Sequence, residues 1–148
     1  MFELDEQMSM ELRSGISAFE AKYFGDASKL LSPLADAGNP EAQYRMAVMA
    51  QNGLGMVKNE NMAKNYMTSA AKSGHALAQH GLGFMYMEGD CVTADGPKAI
   101  EWFRKAADQG MTGSLATMAR MYKEGLGVEQ DMEEAKRLYR EAGFDEFD

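Results

Sequence analysis

Three glycines, Gly38, Gly74 and Gly110, stand 36 residues apart in a chain of 148, and this spacing constrains the fold more than any other feature. A fixed period of about 20–50 residues is the signature of stacked supersecondary units. Laid on itself at that offset, the chain brings many positions into register. Ala63 falls on Ala99 and Ala135, and Ala70 on Ala106 and Ala142. Gly53 falls on Gly89 and Gly125, and Met46 on Leu82 and Met118. Tyr66, Trp102 and Leu138 share a large apolar position, and Tyr86 matches Tyr122. From residue 39 to 146 no insertion or deletion is needed.

Each unit reads as two helices. In the first, Asn39 to Gln51, residues Ala42, Met46 and Met49 recur at i, i+4 and i+7, which is one helical face. A glycine loop such as Asn52-Gly53-Leu54-Gly55 ends it, because glycine takes positive φ freely. The second helix opens at Asn59, Asp95 or Asp131, whose side-chain oxygens can accept an orphan backbone N–H. Pro97 suits a first helical turn. The expected organisation is a single repeat domain over 1–148. It comprises a degenerate N-terminal copy over 1–38 and repeats over 39–74, 75–110 and 111–146. In the degenerate copy, one longer helix is expected from Leu4 to Phe24, with Gly25-Asp26 alone making the turn. The acidic stretch Phe144 to Asp148 is expected to fray or cap.

The segment Ala78-Gln79-His80-Gly81-Leu82-Gly83-Phe84-Met85-Tyr86-Met87-Glu88-Gly89, followed by Asp95 and then Lys98-Ala99-Ile100-Glu101-Trp102-Phe103-Arg104-Lys105-Ala106-Ala107-Asp108-Gln109-Gly110, resembles the Sel1-like repeat. That pattern is A-x-x-x-L-G-x-x-Y-x-x-G, a glycine loop, then D-x-x-K-A-x-x-W-x-x-K-A-A-x-x-G. The resemblance covers residues 39 to 143 as three units. It implies an all-α fold, a right-handed α/α superhelix (solenoid) of about four helix pairs related to tetratricopeptide arrays. It also implies a protein-binding scaffold or adaptor. Three departures stand out. Ala50 replaces the tyrosine in the first unit, and Leu138 the aromatic in the third. Cys91 stands where Gly55 and Gly127 stand, so that loop is expected to turn differently.

Charge narrows the function. At −8, with Lys and Arg scattered, the chain has no basic stripe for phosphate neutralisation, so no nucleic-acid partner is expected. No stretch reaches the roughly 20 apolar residues of a membrane helix, so no membrane partner is expected either. The N-terminus lacks a basic segment followed by an apolar one, and Cys91 is the single cysteine. Both point to a cytoplasmic location.

Chemistry is sparse. His75 and His80 are five apart, off the i, i+4 spacing of a helical zinc pair, so no metal site is expected. His75 is expected at the surface, and His80 to be exposed on a first helix. No nucleophile-and-base motif, nucleophile elbow or phosphate loop is present, so neither catalytic residues nor a cofactor are expected. Glu88, Asp90, Cys91 and Asp95 share one loop, which keeps a small enzyme or ligand-binding protein as an alternative. A self-associating module, possible as a weak homo-oligomer, is a third reading.

The better lead is the groove lined by the first helices. By analogy with tetratricopeptide geometry, its positions are Tyr44, Val48 and Gln51 in the first unit. They are His80, Phe84 and Met87 in the second, and Ala116, Arg120 and Lys123 in the third. An apolar stretch running to a cationic end suits a peptide of a partner protein with hydrophobic residues and an acidic end. Phe84 and Val48 can equally pack against neighbouring helices. Among 14 methionines, Met67, Met85, Met118 and Met121 are expected in the core, and Met87 and Met111 at the surface. Trp102 is expected to be a buried aromatic whose change to alanine costs on the order of 3–5 kcal/mol.

Overall fold

Side chains open most of the helices. In a computed structural model that describes residues 2–144, with side chains from Met8 onward, Asn39, Asn59, Asp95 and Asp131 all have extended backbone. Their side-chain oxygens accept the N–H groups of Ala42, Met62, Lys98 and Glu134 at 2.9–3.1 Å. Each such cap contributes about 1 kcal/mol. The described residues form eight helices and no strand. They are α1 (Phe2–Glu20), α2 (Phe24–Asp36), α3 (Pro40–Asn52), α4 (Glu60–Lys72), α5 (Ala76–Glu88), α6 (Gly96–Asp108), α7 (Thr112–Glu124) and α8 (Met132–Glu141). None of these is long and apolar enough to cross a membrane. The chain divides into two units, Met1–Ala78 and Gln79–Asp148.

The periodic glycines close the second helices. Gly38, Gly74 and Gly110 lie at φ +99°, +93° and +97°. At each, the glycine N–H returns to the carbonyl of Ala35, Ala71 or Ala107, and the next residue reaches one step further back. That pairing is the Schellman motif, which needs a left-handed residue. Gly143 does the same for α8, at φ +95°. It comes three residues ahead of the 36-residue period because α8 has 10 residues where α6 has 13. The C-terminal acidic stretch from Asp145 lies outside the described residues.

The middle loop corrects one expectation. Cys91 does not redirect it: Cys91 has φ +65°, beside +67° for Gly55 and +70° for Gly127. The cause is backbone closure. The Asn59, Asp95 and Asp131 N–H groups each donate to a carbonyl of the preceding helix, those of Ala50, Tyr86 and Tyr122, at 2.8–2.9 Å. All three loops are held to one path, and cysteine takes a conformation that costs an L-residue about 1–2 kcal/mol.

In the N-terminal unit, α1 ends at Glu20 rather than Phe24, and Gly25-Asp26 belong to the first turn of α2. The turn is made by Lys22 at φ +67°, with its N–H on Phe19 and that of Tyr23 on Ala18. Phe19 and Phe24 meet edge to face at 5.7 Å across it. The core gathers Leu31, Leu34, Ala42, Met46 and Met49. Gly55 lies so close to Phe24 that a Cβ there would come within 2.7 Å of the Phe24 backbone.

In the C-terminal unit, Phe103, Leu115, Met118, Met121 and Leu138 form the core. Trp102 is not part of it. Ala99, Phe103 and Ala106 lie on the buried stripe of α6. Trp102 falls to one side, half-exposed, with the Lys105 ammonium 4.8 Å from its ring centroid. Phe103 is fully buried against Gly83, where a Cβ would lie 2.7 Å from the ring. Met67, Met85, Met118 and Met121 are buried as expected, and Met87 and Met111 are half-buried.

Candidate binding surface

In the N-terminal unit, Tyr44, Val48 and Gln51 project from α3 and are all half-buried. Tyr44 stacks on the His75 ring at 5.1 Å. Burial pushes the Tyr44 phenol up from its ordinary value, and the nearby Arg45 charge opposes part of that rise. His75 is not the surface residue its place in the sequence suggests, since its side chain is only 9% exposed. Its Nδ1 accepts the Ala78 N–H at 3.1 Å and so caps α5. An accepting Nδ1 puts the proton of a neutral imidazole on Nε2, which lies 3.2 Å from Glu41 Oε1. Arg45 Nη1 holds the other Glu41 oxygen at 2.7 Å. Burial alone would raise Glu41, but the Arg45 hydrogen bond and charge and the His75 hydrogen bond outweigh it and hold the carboxyl below its usual range.

In the C-terminal unit, His80 and Phe84 of α5 come together with Phe103 of α6. The ring centroids are 4.9 Å apart for His80–Phe84, 5.4 Å for His80–Phe103 and 5.2 Å for Phe84–Phe103. His80 is half-buried rather than exposed, and desolvation holds its pKa below the ordinary imidazole value. Its Nδ1 lies 2.7 Å from Ser114 Oγ, which ties α5 to α7. A serine hydroxyl on an imidazole is the geometry of an activated nucleophile. Ser114, however, is 0% exposed, so a substrate carbonyl has no approach to it in this conformation and the pair acts as a joint. Phe84 and Met87 pack on the core with one side and show the other to solvent.

On α7, Ala116 and Lys123 are half-buried and Arg120 is exposed. Arg120 Nε lies 3.6 Å from Glu124. The Lys123 carbonyl accepts Gln130 Nε2 at 2.8 Å, which pins the following loop. Asp95 is committed to capping α6, and Cys91 Sγ faces Asp90 Oδ1 at 3.6 Å. Among the described residues no group of three His, Cys, Asp or Glu could hold a metal ion.

Sequence reasoning missed two features. One is the cap and stack of His75, for which its place immediately after Gly74 was the available signal. The other is a cavity lined by Pro97, Ile100, Tyr122 and Val128, which no motif marks.

Comparisons place this architecture. Over 94% of the chain it matches a crystal structure described as a protective antigen of uropathogenic Escherichia coli with an SLR fold, at TM-score 0.85 and 29% identity, covering 31% of that chain. It matches a Sel1 repeat protein from Oxalobacter formigenes at TM-score 0.79 and 32% identity, over 90% of this chain and 53% of that one. Among curated proteins, an exopolysaccharide production negative regulator of Rhizobium leguminosarum bv. viciae is 48% identical over 44 residues, 30% of this chain. The chitin synthase regulator SKT5 of Saccharomyces cerevisiae is 27% identical over 123 residues, 81% of this chain. The chain spans only 16% and 18% of the length of these two relatives. The Sel1 repeat pattern itself matches residues 40–75, 76–111 and 114–143. With three such matches on paired helices, the chain belongs to the Sel1 repeat family and has its all-α repeat fold.

Proposed function

We propose that this chain is a non-enzymatic interaction scaffold that holds a peptide segment of a partner protein against the first helices of its repeats. One observation carries the reading. In the C-terminal unit, the half-buried His80, Phe84 and Met87 present an aromatic and apolar face held rigid from behind by Ser114 and Phe103. Preorganised, partly desolvated aromatics of this kind act as binding anchors. Arg120 and Lys123 on α7 supply charge for an acidic group of the peptide. Tyr44, Val48 and Gln51 are the corresponding residues of the N-terminal unit. Two relatives named as regulators are consistent with a protein that acts by binding others. A cytoplasmic location belongs to the same reading, since a single cysteine suits a reducing compartment.

The test is affinity capture from the native host, read by mass spectrometry, with the wild type and a Tyr44→Ala, Phe84→Ala, Arg120→Ala triple variant. Circular dichroism must first show the variant folded. A partner held by wild type and lost by the variant supports the surface. A partner held equally by both overturns it. Light scattering across concentrations identifies self-association as the competing reading.

A further inference from the structure

The C-terminal unit carries a depression of about 500 Å³ between the first turn of α6 and the loop joining α7 to α8. Its lining is mixed: Pro97 and Ile100 from α6, Tyr122 from α7 and Val128 from the loop give an apolar and aromatic part, and Gln130 with two carboxylates gives a polar part of similar extent. Glu129 and Asp131 are the two carboxylates of that lining, and both residues are exposed. This size falls in the usual range for ligand sites, roughly 300–1,000 Å³.

The cup is pre-formed. Gly127 lies so close to Gly96 that a Cβ on Gly96 would fall 1.8 Å from the Gly127 carbonyl oxygen. The loop is therefore held by backbone against backbone at one end. At the other end the Asp131 N–H donates to the Tyr122 carbonyl at 2.8 Å, and Gln130 Nε2 to that of Lys123 at 2.8 Å. The charge of the lining is one-sided, with two acidic residues and no basic one. Among the described residues, the ion pairs of this unit use other carboxylates: Glu124, Glu133, Glu134 and Glu141. Asp131 accepts the Glu134 N–H, a bond that leaves its negative charge in place.

We propose that this cup takes a lysine or arginine side chain, with the residues beside it, from an extended segment of a partner protein. A basic side chain combines a long aliphatic stem with a charged head. The stem matches Pro97, Ile100, Val128 and the Tyr122 ring, and the head reaches Glu129 and Asp131. The depression is larger than one side chain needs, which is why a segment rather than a free amine is the occupant. The chain's −8 charge also favours approach of a basic partner. This site uses different side chains, and the opposite charge preference, from the Arg120 and Lys123 surface, so the two readings stand or fall separately.

The experiment is an amide-shift titration by NMR with the blocked tripeptides Ac-Val-Lys-Val-NH2, Ac-Val-Arg-Val-NH2, Ac-Val-Glu-Val-NH2 and Ac-Val-Nle-Val-NH2, and with spermidine. The lysine and arginine peptides should shift Tyr122, Val128 and Gln130 with Kd roughly in the millimolar range. Glu129→Gln and Asp131→Asn should each weaken them about two- to fivefold. Asparagine keeps an oxygen for the α8 cap, so both variants should fold. Arg120→Ala should change nothing here. Three outcomes overturn the proposal: equal binding of the norleucine peptide, spermidine binding as tightly as the lysine peptide, or no shifts localised to the cup.

Discussion

The second and third repeats differ at matching positions of the same unit, apolar in one and mostly basic in the other. Phe84, Met87, Ile100 and Phe103 of the second pack on the cluster that contains Leu115, Met118, Met121 and Leu138. Thirty-six residues on, the third repeat has Arg120, Lys123, Lys136 and Tyr139. Interior positions of a stacked array must be apolar, because each unit buries its face only on its neighbour. Where that demand is relaxed, charge is tolerated. The change from Phe84 and Met87 on α5 to the exposed Arg120 on α7 thus has an architectural source. Arg120 can be judged a recognition residue only by binding.

The comparison can be broken most sharply at Phe103. Phe103→Ala should cost about 3–5 kcal/mol. Its counterpart Tyr139→Ala, half-buried, should cost clearly less. The single tryptophan lies in this unit, so urea unfolding followed by its fluorescence reports both. Equal losses would mean that the two positions are not architecturally different. Next come exchanges between the repeats. Phe84→Arg should destabilise by roughly 1–3 kcal/mol, and Arg120→Phe should stay within about 0.5 kcal/mol. A stability cost for the second as large as for the first would place Arg120 in the packing.

The loops offer a smaller contrast. Cys91→Gly should stabilise by about 1 kcal/mol by relieving a left-handed cysteine. Gly127→Cys should lose at least as much, because Gly127 also abuts the Gly96 backbone, with a Cβ 3.2 Å from the Gly96 Cα. Melting temperatures of the pair would show it. The smallest effect is on pH dependence. Burial depresses His80 in the folded unit, so the unfolded chain takes up the proton first. The stability from neutral His80 is present above the ordinary imidazole pKa of about 6.5 and is lost as pH falls below it. His80→Gln should flatten the decline in urea midpoint between about pH 7 and 5 relative to wild type. Parallel profiles for the two proteins would remove His80 from the account.

Much of this architecture is legible in the sequence, where one residue type has one local job. Asn59, Asp95 and Asp131 cap because their side chains are short acceptors, and Gly74 and Gly110 end helices because positive φ costs them little. The rest depends on neighbours. Lys22 closes α1 without glycine because the Phe19–Phe24 contact and two backbone bonds compensate for the strain, and no local signal announces that. Trp102 and Phe103 are adjacent on a helix, roughly 100° apart, so the pattern places one of them inside without saying which. The Gly83 cleft selects Phe103. On the candidate surface, the sequence names residues of α3, α5 and α7 but not what packs behind them. Ser114 behind His80 lies 34 residues away, and Glu41 beside His75 lies 34 residues away in the other direction.

Asn39, His75 and Met111 each accomplish two things at one position. Their N–H groups close the preceding helix, and they stand immediately before the next one. No spare residue separates the end of α2, α4 or α6 from the start of its successor. This fixes where the chain can change length. One added residue after Gly74 would either undo the closure of α4 or move the α5 cap off the Ala78 N–H, whereas the loops after Gly53, Gly89 and Gly125 have several residues before the next cap. Val57, 88% exposed in the first of those loops, marks the natural place for an inserted tag or graft. Length variation in such an array is therefore channelled to one side of every helix pair, while the joints between pairs stay at constant length.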